Sequence, residues 1–276
     1  MTANHLLREL APITEAGWKL LDDEARDRLT TTLGARKLVD FSGPFGWDYS
    51  ATNLGRTESL AAPDGDGLLS RRRRVLPLAE MRVDFTVSRD ELLDADRGAA
   101  DIDLSNLDAA AVLIASAENR AVFHGWRQAH ITGITQATTL ATVPRVEDFS
   151  DYPQRVATAV AELLREGISG PFGLALGPGH YTAVTQATER GGYLLAEHLR
   201  RVLEGPIVWA PGVRGAVVMS LRGGDFLFES GQDLSIGYSH HDARNIHLYL
   251  EQSFSFRVAT PEAAVHLTSG DDEKTP

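Results

Sequence analysis

The sequence predicts an α+β fold, and three patterns carry that prediction. Apolar residues recur at helical spacing in two long stretches of the first half. A β ribbon with clear alternation in its return strand separates those stretches, and strands dominate the last third of the chain. The chain has 276 residues, enough to bury a large core, and 43% of them are apolar. Its net charge of −11 argues against broad contact with nucleic acid, which depends on clustered cations. Cysteine is absent, which removes disulfides, thiolate metal sites and a cysteine nucleophile, and fits a reducing cytoplasm. No run of about twenty apolar residues marks a membrane span. The stretch Met1 to Leu10 carries His5, Arg8 and Glu9 and does not read as a secretory signal.

The first helix is capped by Thr14, with Pro12 just outside it. Trp18, Leu21, Ala25, Leu29 and Leu33 follow at helical spacing until Gly34 ends the run. Phe41-Ser42-Gly43-Pro44-Phe45-Gly46 reads as a connection. Residues 49–87 read as ribbon, turning at Asp64-Gly65-Asp66-Gly67, with Val83, Phe85 and Val87 alternating on the return. The outer part of the ribbon is poor in large apolar side chains. It cannot bury a core of its own and needs something to lie on.

Ser88-Arg89-Asp90-Glu91 has the capping-box pattern and opens a short helix ending near Gly98. Ser105-Asn106-Leu107-Asp108 opens a long one, running to Phe123 and Gly125. A boundary falls near 133–150. Beyond it come a helix through Val156 to Leu164, a strand Phe172 to Leu176, and helices Tyr181 to Thr188 and Leu194 to Leu203. Strands follow at Ile207 to Ala210, Gly215 to Leu221 and Phe226 to Glu229. Later β stretches centre on Ile236, on Ile246 to Leu250 and on Phe254 to Val258, ahead of a polar tail from Thr268.

The search for catalytic chemistry finds no constellation. His240-His241-Asp242 reads as a solvated turn rather than a metal cluster, because adjacent strand residues point to opposite faces. No G-x-S-x-G elbow exists, and His124 and His180 read as structural groups. Gly177-Pro178-Gly179 lacks the register of a phosphate cradle and reads as a turn. The basic run Arg71-Arg72-Arg73-Arg74 has no interleaved aromatics and sits on the ribbon. Carboxylates of a neighbouring subunit suit it better than nucleic acid.

A series of stretches in fixed order resembles one family. They are Gly34 to Asp40, Gly43 to Trp47, Pro77 to Arg82, Ile168 to Phe172, Arg222 to Phe226 and Gly231 to Tyr238. Over nearly its whole length the chain is similar to the family 1 encapsulin shell proteins, also known as linocin-type bacteriocins, which share the HK97 phage capsid fold. The resemblance implies a peripheral domain over 1–48, 79–134 and 231–267, an extended loop over 49–78, an axial domain over 135–230 and a flexible tail over 268–276. It implies a cytoplasmic, non-enzymatic, icosahedral homo-oligomer. That shell would enclose a cargo enzyme, either a dye-decolorizing peroxidase or a ferritin-like iron-oxidising protein, and admit small solutes through pores.

Carried onto this chain, the resemblance assigns a groove for the cargo's C-terminal targeting peptide to Leu29, Leu33, Arg36, Asp40, Ile236 and Tyr238, although Leu29 and Leu33 read equally well as core. It assigns a five-fold pore loop to Glu189, Arg190, Gly191, Gly192 and Tyr193. An inter-subunit arm would hold Asp64, Gly65 and Arg71 to Arg74. Some relatives place a flavin against a tryptophan near the start of the first capped helix, but Ser88 to Glu91 contains no aromatic, so no flavin is carried over and no cofactor is expected. The histidine placement, the acidic charge and the lack of a long apolar run likewise give no expectation of a metal, nucleic acid or membrane partner. The competing readings are a bacteriocin or peptidase and a phage-derived capsid packaging nucleic acid.

Overall fold

A computed structural model of the chain describes residues 5–61, 68–140, 151–187 and 194–268. The Asp64-Gly65-Asp66-Gly67 turn and the 189–193 segment lie outside the described residues.

Helix α1, Glu15–Thr32, starts where expected: the Thr14 hydroxyl accepts the Gly17 N–H at 3.0 Å. Its end has a different cause from the one anticipated. Gly34 keeps an ordinary right-handed backbone, but a Cβ there would stand 2.7 Å from that of Ala210. Glycine is required by close packing, not by a left-handed cap. Asn119 locks this corner by accepting the Ala35 N–H at 2.8 Å and donating to the carbonyls of Thr32 and Pro211, each at 2.9 Å.

The stretch expected to be only a connection contains a short strand, β1 (Asp40–Ser42). β2 (Ala51–Leu60) and β3 (Ser70–Pro77) pair antiparallel and form a sheet of their own. β4 (Ala79–Ser88) leads into α2 (Arg89–Asp96). The capping box does not close. Ser88 accepts from the Asp90 N–H at 3.2 Å, and the Glu91 carboxylate instead takes the Asp103 N–H at 2.9 Å. α3 (Ser105–His124) ends at Gly125, whose φ of 84° favours glycine. α4 (Ile134–Ala137) is one turn long.

α5 (Tyr152–Arg165) and β5 (Phe172–Leu176) agree with the periodicity. α6 (Pro178–Gln186) begins earlier than expected, because Pro178 occupies the first helical position and the supposed Gly177 turn is the helix start. α7 (Leu195–Leu203) then precedes β6 (Ile207–Trp209), β7 (Ala216–Ser220), β8 (Phe226–Ser230), β9 (Ser235–His241) and β10 (Asn245–Val258). A last strand, β11 (Ala264–Leu267), was not anticipated.

Two sheets organise the body. In the first, the long β10 has β4 on one side and β8 and then β9 on the other, with β1 beyond β8. The apolar stripes of α1 and α3 pack against it through Leu21, Leu29, Leu107, Ile114, Phe85 and Leu248. In the second, β11, β7, β5 and β6 lie side by side, and every residue of β5 and β7 is buried. Leu163, Val184 and Leu199, from α5, α6 and α7, belong to its core.

Candidate functional site

The C-terminal half of α1 and the first residues of β9 enclose a groove of about 360 Å³. Its apolar floor comes from Ala25, Leu29, Leu33, Leu234, Ile236 and Leu250, and its polar rim from Arg8, Asp22, Arg26, Thr30, Arg36, Asp233 and Ser235. Helical spacing brings the α1 set together, since positions 22, 26, 29, 30 and 33 lie on one face. β9 supplies Ile236, which pairs with Leu250 of β10.

The structure therefore joins four of the six residues that the sequence assigned to one groove: Leu29, Leu33, Arg36 and Ile236. The two readings of Leu29 and Leu33 are not exclusive, because both are core members whose outer edges form the groove floor. Asp40 does not line the groove. It lies in β1, and its carboxylate accepts the Gly224 N–H at 2.8 Å. Tyr238 is also outside the lining. Its hydroxyl meets His241 Nδ1 at 2.6 Å, and its backbone N–H donates to the Leu6 carbonyl at 2.8 Å.

Sequence reasoning missed Asp22, Arg26 and Thr30, although the α1 period contained them. It also missed Arg8, which no periodicity marks. Arg8 grips Asp22 through two hydrogen bonds, at 3.1 and 2.7 Å, and stacks 4.1 Å from the Trp18 ring centroid.

Arg36 is a cross-link more than a free contact. Its guanidinium donates to both oxygens of Glu118 at 2.8–3.1 Å, to Asp233 at 2.7 Å and to Gln252 at 2.8 Å. The Arg36 side chain is 15% exposed and Glu118 fully buried. Burial alone would weaken the arginine's charge, but the Glu118 and Asp233 carboxylates hold its pKa above the ordinary value. Burial pushes the Glu118 carboxyl upward, against the pull of Arg36. The outcome is a charge-compensated cross-link at one end of a groove with an apolar floor and a wide polar rim, which can hold an extended peptide through both apolar and polar contacts.

His240 and His241 lie on β9, not in a turn. His240 stacks on His247 of β10, with ring centroids 4.1 Å apart. Among the described residues no group of three or more His, Asp or Glu is placed to hold a metal ion. Asp242 is a turn device: it accepts the N–H groups of Arg244 at 2.7 Å and Asn245 at 2.8 Å. Those two bonds, with help from His247, lower its pKa from 3.8 to about 2.

Residues 3–255 match the family model described as "Encapsulating protein for peroxidase". A type 1 encapsulin shell protein of Rhodospirillum rubrum is 48% identical over 269 residues, covering 96% of each chain. The chain belongs to the encapsulin shell-protein family. Its fold is that of HK97-like capsids. The virus-like particle protein of Pyrococcus furiosus superposes with a TM-score of 0.62 at 18% identity, covering 91% of this chain and 98% of that one. The capsid of an empty GTA particle gives 0.53 at 16% identity, covering 86% and 89%. Among the described residues of this encapsulin-family chain, no helix is long and apolar enough to cross a membrane.

Proposed function

We propose that copies of this chain assemble into a closed, capsid-like cytoplasmic shell around a cargo enzyme, and that the subunit itself catalyses nothing. Membership of the encapsulin family carries this reading. The exposed β2–β3 ribbon supports it, because among the described residues that arm pairs only with itself and leaves Arg71, Arg73 and Arg74 in solvent. An arm of this kind gains stability by lying on another subunit, and many modest contacts act together once a shell closes. The division into peripheral domain, arm and axial domain belongs to the same reading, as does solute entry beside residues 189–193.

The α1–β9 groove is, in this reading, the inner-wall dock for an extended C-terminal peptide on a peroxidase or ferritin-like cargo. Its apolar floor and mixed-charge rim support that role. Ile236 is too deeply buried to be a clean probe, so the rim is the place to test. Arg26→Glu together with Thr30→Arg alters only exposed groups. The expected result is intact particles by electron microscopy that no longer co-purify a cargo fused to the targeting peptide. Undiminished loading rejects the groove. A wild-type chain that stays monomeric in size-exclusion chromatography at physiological salt rejects the shell.

A further inference from the structure

Along β10, Ile246, Leu248 and Leu250 belong to the core shared with α1 and α3, so Tyr249 and Glu251 point to the opposite face of the first sheet. The segment ahead of α1 crosses them there. His5 Nε2 stands 2.9 Å from a Glu251 carboxylate oxygen, with the His5 side chain 19% and the Glu251 side chain 12% exposed. The approach is off the line of a good hydrogen bond, so the attraction of opposite charges holds this contact. The His5 ring also stacks on Trp47, with centroids 3.9 Å apart, and the His5 carbonyl accepts the Tyr249 hydroxyl at 3.2 Å.

The same segment then reaches the groove, where Arg8 is held by the partly exposed Asp22 and by Trp18. Leu7 joins the two attachments in a left-handed backbone, with φ of 52°. A leucine stays in that conformation only while contacts on both sides hold it, so the tie at His5 also fixes Arg8. An imidazole is charged only when protonated, and both the ion pair and the stack on indole are stronger with that charge. Arg82 and Glu80 of β4 also act on Glu251, in opposite senses, and Arg82 is committed to Asp84 at 2.8 Å and to the Tyr249 ring at 3.6 Å. Burial raises the Glu251 carboxyl above its ordinary value, while His5 and Arg82 oppose that rise. A carboxyl raised in this way binds its proton more tightly with the segment in place than after water reaches it.

We infer that His5 and Glu251 form a proton-dependent latch that keeps the segment ahead of α1, and with it Arg8, seated beside the groove. The latch holds while the pair keeps a proton between its two members. As pH rises and that proton leaves, a buried carboxylate faces a neutral ring, the advantage of the closed form is lost, and the segment lifts. The latch itself stands apart from any cargo, but its consequence, a dock that works only with Arg8 in place, rests on the groove reading.

The chain has no cysteine, so Leu7→Cys, at a site 43% exposed, takes a single nitroxide label in the full-length protein. Its electron paramagnetic resonance spectrum is expected to show a slow label at about pH 5 and a fast one at about pH 8, the range over which an imidazole loses its charge. His5→Arg keeps a charge at every pH and should leave the label slow at both values. Glu251→Gln removes the carboxylate and should abolish the difference. A label with one mobility at both values in otherwise wild-type protein, or a difference that survives both substitutions, overturns the latch. Loading then tests the consequence. His5→Ala is expected to form particles by electron microscopy and to co-purify about tenfold less of a cargo fused to the targeting peptide. Undiminished loading of His5→Ala, where Arg26→Glu with Thr30→Arg abolishes it, overturns control of the groove. Full loading of that rim variant rejects the groove itself, and the label spectra still decide the latch.

Discussion

β3 and β7 are both short strands of one chain, yet they belong to opposite regimes. All five residues of β7 are buried between β5 and β11. Most of β3 stands in solvent, paired to one neighbour whose far edge is unpaired among the described residues. The first gains its stability from the chain's own core, while the second leaves its few apolar side chains, such as Val75, largely uncovered. The body is therefore a finished fold and the arm an unfinished one. Stability of the subunit and stability of an assembly should respond to different residues.

The sharpest test of that separation is at Arg36. Arg36→Ala strands the buried Glu118 carboxylate, and we expect a loss of about 3–5 kcal/mol in denaturant unfolding of the subunit. A comparable stability in the Arg36→Ala variant would mean that this corner is not self-sufficient. Next, Leu174→Ala in the fully buried β5 removes packing atoms from the second sheet, for an expected cost of about 2–5 kcal/mol.

A pH effect follows at Asp242. Its carboxyl is held below its unfolded value, so its contribution is complete above about pH 4 and fades as pH falls toward 2. Thermal melts of wild type and Asp242→Asn should differ at pH 6 and converge near pH 2; a gap that persists at pH 2 breaks the assignment. The smallest effect is expected on the arm. Arg72 pairs with Glu58 in solvent, so Arg72→Ala should move subunit stability by less than about 0.5 kcal/mol. A large loss in the isolated subunit would erase the contrast between arm and body.

Where the sequence was legible, one physical signal acted alone. The stripe from Leu21 to Leu29 and the run Phe172 to Leu176 announced their elements because burial of one face, or of both, sets the period. β1 and β11 escaped because each is short and takes its pairing from a distant partner, β8 in one case and β7 in the other. The helix start at Pro178 was hidden by the glycines on either side of it. In the candidate groove, Leu29, Leu33, Arg36 and Ile236 were legible as one set through family resemblance. Asp40 entered the same set through the resemblance alone, and the structure puts its carboxylate on the Gly224 N–H, outside the groove lining. Arg8 could not have been found, since its place is fixed by Asp22 and Trp18 rather than by any repeat.

The segment ahead of α1 is tied to the body at three points: His5 stacks on Trp47, the Leu6 carbonyl accepts the Tyr238 N–H of β9, and Arg8 forms part of the groove rim. That has a practical corollary for anyone grafting a payload onto this scaffold. A payload joined ahead of α1 hangs from the segment that supplies Arg8 to the trough's rim. One joined after Leu267 is tethered to the other sheet, no strand of which lines the trough.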